Sequence, residues 1–163
     1  MIYKVEKYDI NENVAYIISD VDALASVELG DKEKKYVHET LETKTFASVN
    51  LYDSRRFFVK LKKGKTIDEQ RELVRNEGCK IADSLNALDC KSLAIVDLSG
   101  ADMALVLAEG VELANYRFNK YLSEKKNVSL VEVNVCGDVC EKEVARLNSL
   151  VKGVFIARDI VNE

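Results

Sequence analysis

A handful of features in this sequence are of the kind that do chemistry. Cys136-Gly-Asp-Val-Cys140 sets two thiols in a C-x3-C pattern. Zinc knuckles and dithiol redox sites usually use C-x2-C, and a structural zinc needs four ligands. Cys79 and Cys90 form no second knuckle. All four cysteines are therefore expected to be reduced and metal-free, with Cys136 ending a strand and Cys140 opening a helix. Gly64-Lys65-Thr66 has the order that closes a phosphate-binding loop, but the glycine required five positions earlier is Val59. His38, the only histidine, lies in a polar stretch and reads as a surface residue, which leaves serine triads and histidine general bases without support. Arg55–Lys65 carries six basic residues and no acid. It is either a phosphate or nucleic-acid patch, or a strand whose lysines face solvent and discourage edge pairing. The second reading fits better with a net charge of −4, a pI near 5.2 and no stacking aromatics around the lysines. Nucleic acid is thus not an expected partner. The acids are scattered, and none pair in an apolar context. No residue is singled out as catalytic, cofactor-binding or metal-ligating.

The elements that would position these residues follow from periodicity. Ala101–Leu122 has Met103, Leu107, Val111, Ala114, Phe118 and Tyr121 at steps of three or four, one face of a helix. Its first turns are apolar nearly all round, which places it in the middle of the domain against a sheet. Ser99 and Asp102 resemble a capping box, and Gly110 predicts close approach of another backbone. Ahead of this helix, Ile2–Val5 and Val14–Ile18 read as a hairpin or two neighbouring strands. Asp31–Thr43 reads as a solvent-facing helix, and Phe46–Leu51 and Arg56–Leu61 as strands joined by a tight turn. Thr66–Leu88 is a long helix with Thr66 as N-cap and Glu69 at the capping-box position. Leu93–Leu98 is a strand covered on both faces. After the central helix come a strand over Val128–Val135, a helix over Val139–Val151, and a further helical piece over Phe155–Val161.

Strands first, then alternating helix and strand, predict a mixed, largely parallel sheet between two layers of helices, a three-layer α/β/α fold. At 163 residues the chain is expected to form one core. No apolar run approaches the ~20 residues of a membrane span, and the N-terminus lacks the apolar core of a signal peptide, so a cytoplasmic location is expected.

Two stretches resemble the leucyl (cytosol) aminopeptidase family. Ala108–Lys126, AEGVELANYRFNKYLSEKK, is similar to the family segment where a helix closes with a small residue, Tyr, Arg and Phe, followed by Lys-Tyr. Ala157–Glu163, ARDIVNE, is similar to the motif that opens the family's catalytic domain. The resemblance implies a macro-domain-like N-terminal domain over residues 1–152. Residues 153–163 would begin the linker and catalytic-domain helix. It implies a hexamer, and a further C-terminal domain holding two divalent metals (zinc, manganese or magnesium) that releases N-terminal residues from peptides. No family metal ligand or catalytic residue maps onto this chain, whose own role would be in assembly and in shaping access to the site. The alternatives are a macro-domain-like nucleotide or ADP-ribose binder using Leu98-Ser-Gly-Ala-Asp102, and a nucleic-acid contact through Arg55–Lys65. Phe155 and Ile160 are expected to pack on their own domain or on a second copy.

Overall fold

Val14–Ile18 (β2) has no polar face, and all five of its residues are buried. Such a strand has to lie inside a sheet that is covered on both sides. In the computed structural model, which describes residues 1–119, 121 and 128–163, β2 is an interior strand of a six-stranded sheet. The other strands are β1 (Ile2–Val5), β3 (Phe46–Asn50), β4 (Arg55–Lys60), β5 (Ser92–Asp97) and β6 (Glu132–Cys136), in the spatial order β1-β6-β5-β2-β4-β3. Each neighbouring pair is parallel except the β3–β4 hairpin. The mixed, largely parallel sheet is therefore as expected.

The expected pairing of β1 with β2 is not found. β1 lies at the edge on β6, with Ile2 opposite Val133. The reason is visible in the burial of each strand. Tyr3 and Lys4 of β1 are exposed and tolerate an edge, whereas β2 needs a neighbour on each side and finds β4 and β5.

Four helices complete the layers: α1 (Asp31–Thr43), α2 (Ile67–Asn86), α3 (Ala104–Ala114) and α4 (Glu141–Asn162). From α2, α3 and α4, residues Val74, Ile81, Leu107, Val111, Val144 and Leu147 share one core with Ile17, Val59, Ile95 and Val135 of the sheet. On the opposite face Leu24, from a 3-10 turn at Val21–Ser26, joins Val37 and Leu41 of α1 against Tyr16, Ile18 and Phe58. The capping box of α2 is formed as read: the Glu69 N–H donates to Thr66 Oγ1 at 3.3 Å and the Thr66 N–H to Glu69 Oε2 at 2.9 Å. A hydrogen bond from Lys65, followed by that Thr66 N–H, holds the Glu69 carboxyl below its ordinary range.

The central helix differs from expectation at both ends. It begins at Ala104 without a Ser99–Asp102 box, because Asp97 takes the Met103 N–H instead, at 2.6 Å. It ends at Ala114 because Asn115 turns inward. The Asn115 amide donates to Leu130 O at 2.6 Å and accepts from Asn86 Nδ2 at 2.8 Å, while Asn86 Oδ1 accepts the N–H groups of Ser129 and Leu130. An asparagine that binds backbone in this way competes with continued helix. Lys120 and Leu122, the last part of the expected helix, lie outside the described residues.

Gly110 shows the expected close approach: a Cβ there would sit 2.3 Å from Arg75 O, and one on Gly78 would sit 2.8 Å from Val111 N.

The two helical pieces expected near the C-terminus are one continuous helix, α4. Gly153 interrupts nothing, since interior glycine costs only about 1 kcal/mol and the helix is held on both sides of it. The expected domain limit between residues 152 and 153 falls inside α4. Phe155 packs on its own domain, its ring 5.3 Å from that of Tyr116, and Tyr116 also donates to Asp159 Oδ1 at 2.8 Å. Ile160 does not pack in this way and is 68% exposed.

The two helix glycines make opposite predictions. Gly110→Ala forces α3 off the α2 backbone and is expected to destabilise by about 3 kcal/mol or more. Gly153→Ala meets nothing within 4 Å and is expected to stabilise by about 0.5–1 kcal/mol. Urea unfolding of the two variants beside the parent checks both signs.

Candidate functional site

β1, β6 and β5 are parallel and end side by side at Val5, Cys136 and Asp97. In open α/β sheets, ligands bind in the crevice beyond the carboxyl ends of such strands. A cleft of about 910 Å³ lies there, between the loop that leads from β5 into α3 and the loop that leads from β6 into α4. Both loops turn through left-handed backbone, at Gly100 (φ 69°) and Asp102 (φ 53°) in the first and at Gly137 (φ 111°) in the second. A smaller recess of about 390 Å³, walled by Tyr8 and Val96, shares Asp97, Cys136 and Gly137 with the cleft.

Asp97 sets the chemistry of this end of the sheet. Its Oδ1 accepts the N–H and the hydroxyl of Ser99 at 2.8 and 2.5 Å, and its Oδ2 accepts the Met103 N–H at 2.6 Å. Ser99 Oγ in turn accepts the Ala101 N–H at 3.2 Å. A loop that is to cradle a phosphate must present free N–H groups at a helix N-terminus. In Leu98-Ser-Gly-Ala-Asp102 a carboxylate of the chain itself already occupies that position. Among the described residues, Asp97, Asp102, Asp138 and Glu143 line the cleft against Lys4 and Arg71. Its field therefore works against a nucleotide diphosphate. The Asp97 cap had a sequence signal that the capping-box reading passed over: an aspartate ending an apolar strand, two residues before a serine.

The other sequence candidates serve the fold. Arg56 is 2% exposed, and its guanidinium donates to Glu12 O at 2.7 Å, to Ser54 Oγ at 3.1 Å and to Ile10 O, pinning the segment that precedes β2. Lys60 donates to Leu41 O at 3.0 Å, Lys63 pairs with Asp20 at 3.1 Å and Lys65 with Glu69 at 2.7 Å. The Arg55–Lys65 run is thus no continuous basic face. It is also no guard for an exposed edge, because β4 is interior and β3 is the edge strand. Gly64-Lys65-Thr66 is a turn (Gly64 φ 78°) running into the α2 cap. His38 lies on the exposed side of α1, 3.6 Å from Glu42.

The four cysteines are free thiols. Cys136 ends β6 and Cys140 is the N-cap residue of α4, the placement read from their spacing. Burial, with the Glu12 charge adding to it, pushes the Cys136 thiol up to about 11. It is protonated at neutral pH and is neither a nucleophile nor a ready metal ligand there. Among the described residues no three His, Cys, Asp or Glu side chains come together as a metal-ligand set. No helix among the described residues is long and apolar enough to cross a membrane.

Sheet order, layers and cleft define an α/β protein of macro-domain-like fold. A mutant of the Oceanobacillus iheyensis macrodomain superposes with a TM-score of 0.55 at 14% identity, over 96% of this chain and 93% of that one. A mutant of tomato leucine aminopeptidase superposes with a TM-score of 0.62 at 16% identity, over 95% of this chain but 36% of that one. No known family profile matches the sequence. A probable cytosol aminopeptidase of Clostridium perfringens (strain 13 / Type A) is 31% identical over 113 residues, which is 61% of this chain and 23% of that protein. Another, from Fusobacterium nucleatum subsp. nucleatum, is 28% identical over 167 residues, 98% of this chain and 34% of that protein. The chain is a relative of the N-terminal part of the cytosol aminopeptidases. It spans between 23% and 34% of the length of these two relatives.

The thiol environments predict an order of modification. With iodoacetamide at pH 8, exposed Cys140 is expected to be alkylated first, and Cys136 at least about tenfold more slowly until the protein is unfolded. Peptide mass mapping over time reads the order, and equal rates at the two sites would contradict it.

Proposed function

We propose that this chain is the N-terminal, non-catalytic part of a metal-dependent aminopeptidase. Its two-metal centre would lie in a C-terminal domain, and the whole protein would release N-terminal residues from peptides in the cytoplasm. The observation that carries this reading is the asymmetry of the sequence match. Alignment to the Fusobacterium relative runs over 98% of this chain and stops at 34% of that protein. The resemblance of Ala157–Glu163 to the family's domain-opening motif adds to it. In such an enzyme the divalent metals polarise the scissile carbonyl and lower the pKa of the attacking water.

What this chain would contribute is a rigid body and a surface. α4 keeps its first half in the core through Val144, Leu147 and Val151. Its second half presents Ile156, Ile160 and Val161 at 52, 68 and 84% exposure. Burying each such side chain is worth roughly 1.5–3 kcal/mol. The end of α4 is therefore the natural place for the catalytic domain to dock, and a hexamer of the kind known in the family would be built around that junction. The nucleotide-binding alternative is weaker, because the Asp97 carboxylate already caps the loop it needs.

The test is leucine-amide hydrolysis with added zinc or manganese. The chain of 163 residues is expected to show no turnover. The product of the complete reading frame is expected to hydrolyse the substrate and to lose that activity on chelation. Turnover that tracks the 163-residue chain through repurification would contradict the division of labour, and an inactive, metal-free complete product would contradict the enzyme assignment.

A further inference from the structure

β3 ends one side of the sheet and pairs only with β4. In that hairpin Thr45 O accepts the Lys60 N–H at 2.8 Å, and Ser54 O accepts the Leu51 N–H at 2.9 Å. Bonding in an antiparallel pair falls on every second residue, so Ala47 and Val49 are the ones turned to β4. Phe46 and Ser48 point their N–H and C=O groups the other way, and among the described residues these groups have no partner. The helical layers leave this edge uncovered. Tyr36 and Thr40 of α1 stand on one side and Lys80 of α2 on the other, with a groove of about 420 Å³ between them that Phe46 and Ser48 also line. Three exposed lysines gather at the start of β3. Lys44 precedes it, Lys62 follows the Lys60 that bonds Thr45, and Lys80 Nζ lies 5.5 Å from the centre of the Phe46 ring. Lys80 pairs with Glu77 at 2.6 Å, whereas the Lys44 and Lys62 ammonium groups enter no ion pair among the described residues. No Asp or Glu among the described residues lines the groove.

We infer that this groove takes an extended acidic peptide segment as an additional strand. Its main chain exchanges hydrogen bonds with Phe46 and Ser48, and its carboxylates meet Lys44, Lys62 and Lys80. Strand addition of this kind draws its affinity from the backbone and its selectivity from the side chains. Lysines beside an open edge keep neutral and basic strands away, and the same charges favour an acidic one. A second copy of this chain is the poorer occupant, because its own β3, Phe-Ala-Ser-Val-Asn, brings no carboxylate to the lysines.

The probe is a terminally blocked peptide of about eight alternating valine and glutamate residues, long enough to cover β3. Three comparison probes go with it: the same peptide N-methylated at every second residue, a valine–lysine peptide, and inorganic polyphosphate. Residue-resolved amide hydrogen exchange and fluorescence anisotropy are the readouts. The acidic peptide is expected to slow exchange at Phe46 and Ser48 by about tenfold or more at saturation. N-methylation, which removes the donors but keeps the charges, is expected to abolish that protection, and the valine–lysine peptide is expected not to bind. Lys44→Glu combined with Lys62→Glu, both at exposed positions, is expected to weaken the acidic peptide by about tenfold or more. Absence of binding at millimolar peptide overturns the inference, as does equal binding of the N-methylated peptide. Polyphosphate that displaces the peptide without protecting Phe46 and Ser48 supports the lysine contacts. Protection of those two amides by polyphosphate alone overturns the strand pairing. Protection that rises with protein concentration in the absence of peptide also overturns it, since a second copy would then hold the edge.

Discussion

The distance between α2 and α3 is set by two glycines that face each other's helix. At Gly110 a methyl group would lie 2.3 Å from Arg75 O, and at Gly78 it would lie 2.8 Å from Val111 N. Backbone meets backbone, so neither position can yield by moving a side chain. The contact lets α3 lie close beside α2 over the same face of the sheet, with Leu107, Ala108 and Val111 buried. Around it, Arg75 Nε donates to Glu109 Oε2 at 2.6 Å, tying the exposed margins of the same two helices. Everything that α3 carries to its ends then depends on this seating: the Asp97-capped loop at its start, and Glu112 and Asn115 at its close.

A consequence is that polar residues capable of chemistry are largely absorbed by the fold. Arg56 holds the segment before β2, Asp97 caps α3, and Asn86 with Asn115 fastens Ser129 and Leu130. Buried polar groups of this kind are kept because leaving any one of them unpaired is costly. The cleft at the strand ends is consequently framed by Asp97, whose carboxylate already has its partners, and, among the described residues, by an excess of carboxylates. The macro-domain-like architecture is shared with proteins of other functions, and architecture alone assigns none of them.

Local signals in the sequence carried most of the secondary structure. The Thr66–Glu69 box, the β-prone run Val14–Ile18 and the glycine at the helix crossing each act over a few residues, and each is found as read. What could not be read was nonlocal. β1 joins β6, from the other end of the chain, because parallel pairing leaves no trace in the intervening sequence. α3 stops early because Asn115 has a partner at Leu130 that periodicity does not see. The basic run dissolves because Arg56 turns into the core, which charge counting cannot distinguish from a surface patch. At the candidate site the two cysteines were placed correctly by spacing, while the Asp97 cap was visible only as a short-range aspartate–serine pair.

The central claim is that this domain is one part of a larger enzyme that covers the outer half of α4. Hydrogen exchange or side-chain footprinting of Ile156, Ile160 and Val161 tests it most directly, comparing the 163-residue chain with the product of the complete reading frame. The account predicts strong protection of all three residues in the complete protein only. Equal exposure in both would contradict it.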